Sequence, residues 1–432
     1  INTMRVLLVN PWVHDFSCLN LWSAPLGLLK VGEYLSQDEV KVEFIDCLQT
    51  IKQKTYGTGK YLRQEIKKPD ILKRIPRRFS RYGITREEFG ERIKGLPEPD
   101  IILVTSLMTY WYTGVKETVE ELKKYYKDTP VILGGLYATL LPEHALKHIP
   151  VDGVFQGGVE KGFSSYLGTF GYRLKKEKDP EPYYKLGIMR WKFAPLMTSK
   201  GCPFRCTYCA SGILNEKFVQ RPPQEVIKEI MDLYNLGIRD FAFYDDALLV
   251  NSEKHIKPIL REIISFCPDI RFHTPNGLHA RFIDEELAIL MKKAGFKTIR
   301  VSLETISPEL QEKTGGKVKT EEFKNSIELL KKAGFTKREI GVYLMFGLPG
   351  QGLEEVIEGV NFLKSLNVRI HLTEYSPIPG TPLYKEALSQ GLIPEDIDPL
   401  LTNNSVYYYL FSGYDIKELE RLKLEVKRYN EN

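Results

Sequence analysis

Three of the chain's six cysteines, Cys202, Cys206 and Cys209, fall within eight residues in the run "GCPFRCTYC", spaced C-x-x-x-C-x-x-C. Clustered thiols of this kind point to a metal or redox site. A structural zinc site takes four Cys or His ligands, often in two pairs, yet the next candidates after Cys209 are single residues, His255 and Cys267. A thioredoxin-type pair would use Cys206 and Cys209 and leave Cys202 unexplained. A cubane iron–sulfur cluster on three thiolates leaves one iron without a protein ligand. That iron stays a Lewis acid, open to the hard N and O donors of a substrate. Gly201 and Pro203 suit a tight loop around so bulky a group. The remaining cysteines (Cys18, Cys47, Cys267) are scattered, which argues against a disulfide framework and for a reducing, cytoplasmic setting.

Two runs of alternating strands and helices must position these residues. Residues 1–170 carry strand patterns in "MRVLLVN", "VKVEFID", "DIILVTSL", "PVILGG" and "DGVFQGG", with helical stretches near 25–36 and 113–127. Continuous apolar strands separated by helices predict a doubly wound parallel sheet of Rossmann-like type, its ligand at the strand carboxyl ends. Residues 171–194, rich in charge and Pro, read as a linker. Residues 195–385 hold six further strands, "PLMTS", "DFAFYD", "IRFHTP", "TIRVSLE", "IGVYLMF" and "IHLTEYS", separated by amphipathic helices. This α/β pattern predicts a partial (β/α)6, TIM-like barrel. Residues 386–432 form a C-terminal helical extension ending in "DIKELERLKLEVKRY".

The net charge of +5 is uneven: residues 52–94 carry fourteen Lys/Arg against five Asp/Glu. Solvated basic helices are the first reading of this run. A site for a phosphate- or carboxylate-bearing ligand is the sharper one. It matches no nucleic-acid-binding motif, so nucleic acid is not an expected partner. No apolar run approaches the ~18 residues of a membrane span.

"CPFRCTYC" resembles the signature of the radical S-adenosylmethionine enzymes, C-x-x-x-C-x-aromatic-C, with Tyr208 at the aromatic position. The resemblance implies a [4Fe-4S] cluster on Cys202, Cys206 and Cys209, with S-adenosylmethionine chelated at the open iron. Reductive cleavage then yields a 5′-deoxyadenosyl radical, the electron coming from a reductase such as flavodoxin or ferredoxin. The likeness continues strand by strand over 195–385. It implies S-adenosylmethionine contacts at Asp245 and Asp246, at Asn276 and Arg281, at Ser302 and Glu304, and along the loop containing Gly347. Asp245 and Asp246 could equally cap the following loop. Glu304 alternates with Val301 and Leu303 and is expected in the barrel lumen, whereas Tyr343 and Met345 read as core.

The amino-terminal half resembles the cobalamin-binding domains that many radical S-adenosylmethionine enzymes carry. The matching residues are "TSL" (Thr105, Ser106, Leu107), then twenty-six residues, then Gly134 and Gly135, with Gly157 and Gly158 in "FQGG". Asn10 and Trp12 stand where that pattern has Asp and His, so the lower face of cobalt is not expected to be His-coordinated. His14, two residues on, reads as a surface-loop histidine. Residues 49–95 are an insertion between the second and third strands, and Trp111 in "MTYWYTG" reads as packing. Together the resemblances imply a cobalamin-dependent radical enzyme methylating an unactivated carbon or phosphorus of a small molecule, anionic substrates included. The alternatives are a non-methylating radical cyclisation, rearrangement or oxidation, and, remotely, a non-catalytic metal-binding module for acidic partners or RNA.

Overall fold

The computed structural model describes residues 4–36, 40–53, 59–160, 162–172, 174 and 192–432. Most of the expected linker, and residues 54–58 of the insertion, lie outside these. The chain divides into two compact units, residues 1–191 with 398–401, and residues 192–397 with 402–432. No helix among the described residues is long and apolar enough to cross a membrane.

The first unit is built on a five-stranded parallel sheet. Its strands are β1 (Arg5–Asn10), β2 (Lys41–Asp46), β3 (Ile101–Val104), β4 (Val131–Leu133) and β5 (Gly153–Val154), ordered β5-β4-β3-β1-β2. β1 can sit inside the sheet, between β3 and β2, because both its faces are apolar: Val6, Leu7, Leu8 and Val9 are all buried. Helices α1 (Leu26–Ser36) and α2 (Tyr112–Tyr125) bury one stripe each, Leu28 and Leu35 on the first, Val115, Val119 and Leu122 on the second.

The insertion departs from the sequence expectation of solvated basic helices. It forms short antiparallel strands, Arg63–Glu65 and Ser80–Tyr82 beside Val13–Asp15, before one helix, Arg86–Lys94. The physical reason lies in its apolar punctuation. Leu72, Ile75, Phe79 and Tyr82 are buried while Arg77 and Arg78 face solvent, and Arg81 turns inward at 5% exposure.

The second unit holds six parallel strands in sequence order: β6 (Phe193–Leu196), β7 (Asp240–Phe243), β8 (Arg271–His273), β9 (Phe296–Glu304), β10 (Ile340–Phe346) and β11 (Arg369–Glu374). Among the described residues β6 and β11 are not paired, so the sheet is an open barrel. Helices α3 (Pro223–Asn235), α4 (Ile256–Phe266), α5 (Glu285–Lys293), α6 (Thr320–Lys332) and α7 (Leu353–Ser365) link the strands. The terminal helix α8 (Ile416–Glu431) covers the open edge of β11, where Asn430 accepts from Ile370 N (2.9 Å) and donates to Ile370 O (2.7 Å). That satisfies edge groups which would otherwise invite strand pairing.

Candidate functional site

The cluster loop leaves β6 and runs over the carboxyl ends of the strands, where ligand sites of such sheets are built. Cys209 N donates to Cys206 O (3.0 Å), and Arg205 ties back to Cys202 O (3.1 Å), folding the loop on itself. Thr207 N donates to Thr314 O (3.1 Å), fastening it to the loop after β9. All three cysteines are free thiols and line one cavity of about 580 Å³. Burial pushes the Cys206 thiol up to about 11 and raises Cys202 as well. Among the described residues no group of three His, Cys, Asp or Glu converges on a single-ion site. Three thiols around an open cavity fit a polynuclear cluster better than a zinc ion.

The cavity sorts the expected S-adenosylmethionine contacts. Tyr208, Asp246, Asn276, Ser302 and Glu304 all line it. Asp246 accepts from Ser211 Oγ (2.5 Å), and Asn276 Nδ2 donates to Tyr244 O (2.9 Å). Glu304 ends β9 at a register shift with φ of 66°, a strained left-handed conformation for glutamate, at 8% exposure.

Three expected contacts do not reach the cavity. Asp245 is a buried clasp, its Oδ1 accepting from Thr198 Oγ1 (2.7 Å), Ser199 N (2.6 Å) and Ser199 Oγ (2.6 Å). Arg281 is turned away to Glu322 (3.1 Å) and Gly316 O (2.9 Å), where it braces the loop after β9. Gly347 N donates to the Tyr414 hydroxyl (3.1 Å), so its backbone is engaged by the C-terminal extension. Conversely, Tyr343 and Met345, read as core, stand in the cavity wall.

Two cavity residues escaped the sequence reading. Lys317 Nζ lies 3.0 Å from Ser302 Oγ and 3.3 Å from Glu304 Oε1. Burial pulls its ammonium down, but Glu304 and then Cys206 hold it above the ordinary lysine value. His279 Nε2 sits 4.0 Å from Cys202 Sγ, with Phe204 stacked on the ring at 4.7 Å. Burial, then Lys317 and Arg281, push its pKa down to about 3, so the imidazole is neutral. The "TGGK" run just past the short helix Pro308–Lys313 was the one signal for Lys317; nothing local marked its pairing with Glu304.

In the first unit, Asn10, Trp12, Thr105, Ser106 and Leu107 line a hollow of about 60 Å³ at the carboxyl ends of β1 and β3, joined by Trp111. Its size admits only part of a large ligand, and Leu107 and Met108 lie exposed beside it, at 46% and 40%. Gly134, Gly135, Gly157 and Gly158 are not in its wall. The glycine pair acts instead through the adjoining loop: Ser106 Oγ donates to Gly134 O (2.6 Å), and a Cβ on Gly135, at φ 93°, would lie 2.2 Å from Ser106 O. Gly135→Ala is therefore expected to pry the two loops apart at a cost of ~1–3 kcal/mol. Corrin retained after gel filtration should fall while the cluster absorbance persists.

Trp12 and His14 are corrections to the sequence reading. The Trp12 indole is fully buried, donates to Ile84 O (2.8 Å) and packs on Phe89 at 4.7 Å, so it offers the hollow no free polar atom. His14 is not a surface residue. It is buried, with Nε2 at 2.6 Å from Glu117 and Nδ1 at 3.2 Å from Thr113 Oγ1. Both ring nitrogens are engaged, leaving neither for a metal.

Glu117 also binds Arg81 (2.5 Å) and Arg86 (2.5 Å). Burial raises its pKa, but His14, Arg81 and Arg86 prevail and hold it down to about 2. A depressed carboxylate stabilises the fold above its ordinary value of 4.5 and loses that contribution as pH falls through about 2. Glu117→Gln strands the buried Arg81, so a loss of ~3–5 kcal/mol is expected at neutral pH. Urea melts followed by tryptophan emission should show that gap narrowing below pH 4.5.

One unit is an open parallel α/β barrel with three thiols facing one cavity; the other is a parallel sheet with a hollow at its strand ends, and each is an α/β ligand site in its own right. Comparison with known proteins shows what the two units are similar to. The profile of the radical SAM superfamily matches residues 196–363, and that of the B12 binding domain matches residues 76–166. An uncharacterised methyltransferase of Pyrococcus horikoshii is 27% identical over 333 residues, covering 68% of this chain and 71% of that protein. Cytidylyl-2-hydroxyethylphosphonate methyltransferase of Streptomyces wedmorensis is 22% identical over 466 residues, covering 91% and 83%. The solved structure of the radical S-adenosylmethionine methyltransferase TsrM from Kitasatospora setae, with cobalamin and a [4Fe-4S] cluster bound, shares the fold. Its TM-score is 0.67 at 21% identity, over 90% of this chain and 78% of that one. The chain carries a radical SAM domain over residues 196–363 and a B12-binding domain over residues 76–166.

Proposed function

We propose that the protein is a cobalamin-dependent radical enzyme that methylates an unactivated carbon or phosphorus of a small molecule. The observation that carries this reading is the convergence of Cys202, Cys206, Cys209, Asn276, Ser302, Glu304 and Lys317 on one 580 Å³ cavity. That volume lies within the usual range of small-molecule sites, ~300–1,000 Å³. When bound, the cluster and the corrin supply one-electron reduction of S-adenosylmethionine and a carrier for its methyl group.

The chain's own residues do the rest. Cys202, Cys206 and Cys209 would hold the cluster, and Lys317 would offset their negative charge from inside the cavity. Ser302 and Glu304 would serve as acceptors for the polar groups of S-adenosylmethionine, with Asp246, Asn276 and Tyr208 fixing its placement. Tyr343, Met345 and Thr373 close the wall and shield a radical from water. In the other unit, Asn10, Thr105, Ser106 and Leu107 receive part of the corrin ligand, and Gly135 keeps the adjoining loops close. His14, held by Glu117 and Thr113 through both ring nitrogens, would have no free nitrogen to offer a corrin bound there. A flavodoxin or ferredoxin would deliver the electron.

Product analysis tests the methylating reading. The reduced, reconstituted protein with S-adenosylmethionine should form both S-adenosylhomocysteine and 5′-deoxyadenosine. Deoxyadenosine without S-adenosylhomocysteine would overturn methyl transfer and favour a radical cyclisation, rearrangement or oxidation.

A further inference from the structure

Beneath the cavity the sheet carries a concentration of positive charge with no counter-ion. In the registered strands Arg300 stands beside Gly341 and Gly341 beside Arg369, while the next row holds Ser302, Tyr343 and His371. Tyr343 belongs to both regions, lining the cavity and donating to Pro275 O (2.6 Å). Gly341 provides the space: a Cβ there would lie 2.6 Å from His371 Nε2 and 2.7 Å from Arg300 Nη1. The imidazole and the guanidinium therefore converge on one point.

Neither arginine has a carboxylate partner among the described residues. Arg300 donates to a backbone carbonyl, Ile299 O (3.0 Å), has the Tyr343 hydroxyl as a hydrogen-bonding neighbour, and feels the Arg369 charge. Arg369 Nε and His371 Nε2 are buried without any hydrogen-bond partner. The nearby carboxylates are taken: Asp240 by Arg271 (2.6 Å) and His273 (2.9 Å), Glu304 by Lys317. An arginine does not shed its proton, so two half-buried guanidiniums acting on each other carry a repulsion that a bound anion would relieve. Two planar forks with one imidazole N–H also match the geometry of an oxyanion.

We propose that Arg300, Arg369 and His371 form an oxyanion subsite inside the barrel, behind the cavity wall at Tyr343, so that the substrate is an anionic small molecule bound by its phosphoryl or carboxylate end. The inference rests on the radical reading only in naming the occupant as substrate. The site would hold its far end, leaving the reacting end towards Cys206 and Glu304.

Titration of inorganic phosphate and of succinate into the reconstituted protein tests the subsite, read by thermal melting against sodium chloride at matched ionic strength. The expected result is a saturable rise in melting temperature with one of the two, and the tighter one identifies phosphoryl or carboxylate as the preferred group. Arg300→Met and Arg369→Met should each weaken that anion by about tenfold or more, as loss of a charged hydrogen bond requires. Without anion they should melt no lower than the wild type, because each removes an unpaired charge. No saturable rise over chloride in the wild type overturns the proposal, as does unchanged affinity in both variants. Should the variants fail to fold, the wild-type titration and Arg300→Lys, which keeps the charge but not the fork, decide it. Cys206→Ala separates the two readings: it should still bind the anion, whatever its effect on S-adenosylmethionine cleavage.

Discussion

Replacing Cys206 with alanine removes the brown absorbance of the anaerobically reconstituted protein and takes deoxyadenosine formation from S-adenosylmethionine to background. The size of the effect follows from the ligand count. A cluster on three thiolates has no spare protein ligand, and among the described residues none stands in reserve: Cys18, Cys47 and Cys267 lie elsewhere in the fold, and His279 is a neutral imidazole packed under Phe204. The loop itself should survive, because its anchors, Thr207 to Thr314 and Arg205 to Cys202 O, involve no cysteine side chain. Circular dichroism and the urea midpoint are therefore expected to stay near wild type while iron and sulfide fall together. A colourless wild-type protein that binds stoichiometric zinc would contradict this account.

Lys317→Met carries the second large effect. The ammonium is a buried cation close to the cysteines, bonded to Ser302 and Glu304 inside the cavity. A fixed positive charge in a desolvated site acts on its neighbours far more strongly than in water. Its removal is expected to slow single-turnover deoxyadenosine formation by about a hundredfold, the scale of losing one preorganised electrostatic group. It also leaves Glu304 buried without its cation, so a stability loss of ~3–5 kcal/mol should accompany it. The double variant Lys317→Met/Glu304→Gln separates the two consequences. It should regain most of the stability, since no charge is stranded, and none of the rate. Recovery of both together would assign Lys317 a purely structural role.

Much of the architecture was legible in the sequence because its parallel strands are short, continuous apolar runs. "RVLLVN" and "IILV" are buried on both faces and "IGVYLMF" on all but the cavity-facing Tyr343 and Met345, and their shortness and β-branched content favour strands. The three cysteines were legible for a different reason: their spacing is local, and one loop brings them to one cavity. Contacts set by distant parts of the chain were not. Asp245 reads as a cofactor contact until Thr198 and Ser199 are seen to consume its oxygens. Arg281 reads as facing the site until Glu322, on a helix forty-one residues later, claims it. Lys317 is an ordinary loop lysine in sequence and becomes a site residue only when β9 places Glu304 beside it. His14 follows the same rule, since its partner Glu117 comes from α2 rather than from its own loop. The insertion was misread because charge run and helix were equated, whereas its buried Leu72, Ile75 and Phe79 make it a folded layer.

The central claim is that the cavity around Cys202, Cys206 and Cys209 is a site for reductive cleavage of S-adenosylmethionine. Quantifying 5′-deoxyadenosine after adding S-adenosylmethionine to the anaerobically reconstituted, dithionite-reduced protein tests it most directly. The account predicts deoxyadenosine that requires the reductant and disappears in Cys206→Ala. Iron-loaded, folded protein that returns its S-adenosylmethionine uncleaved under reduction would contradict it.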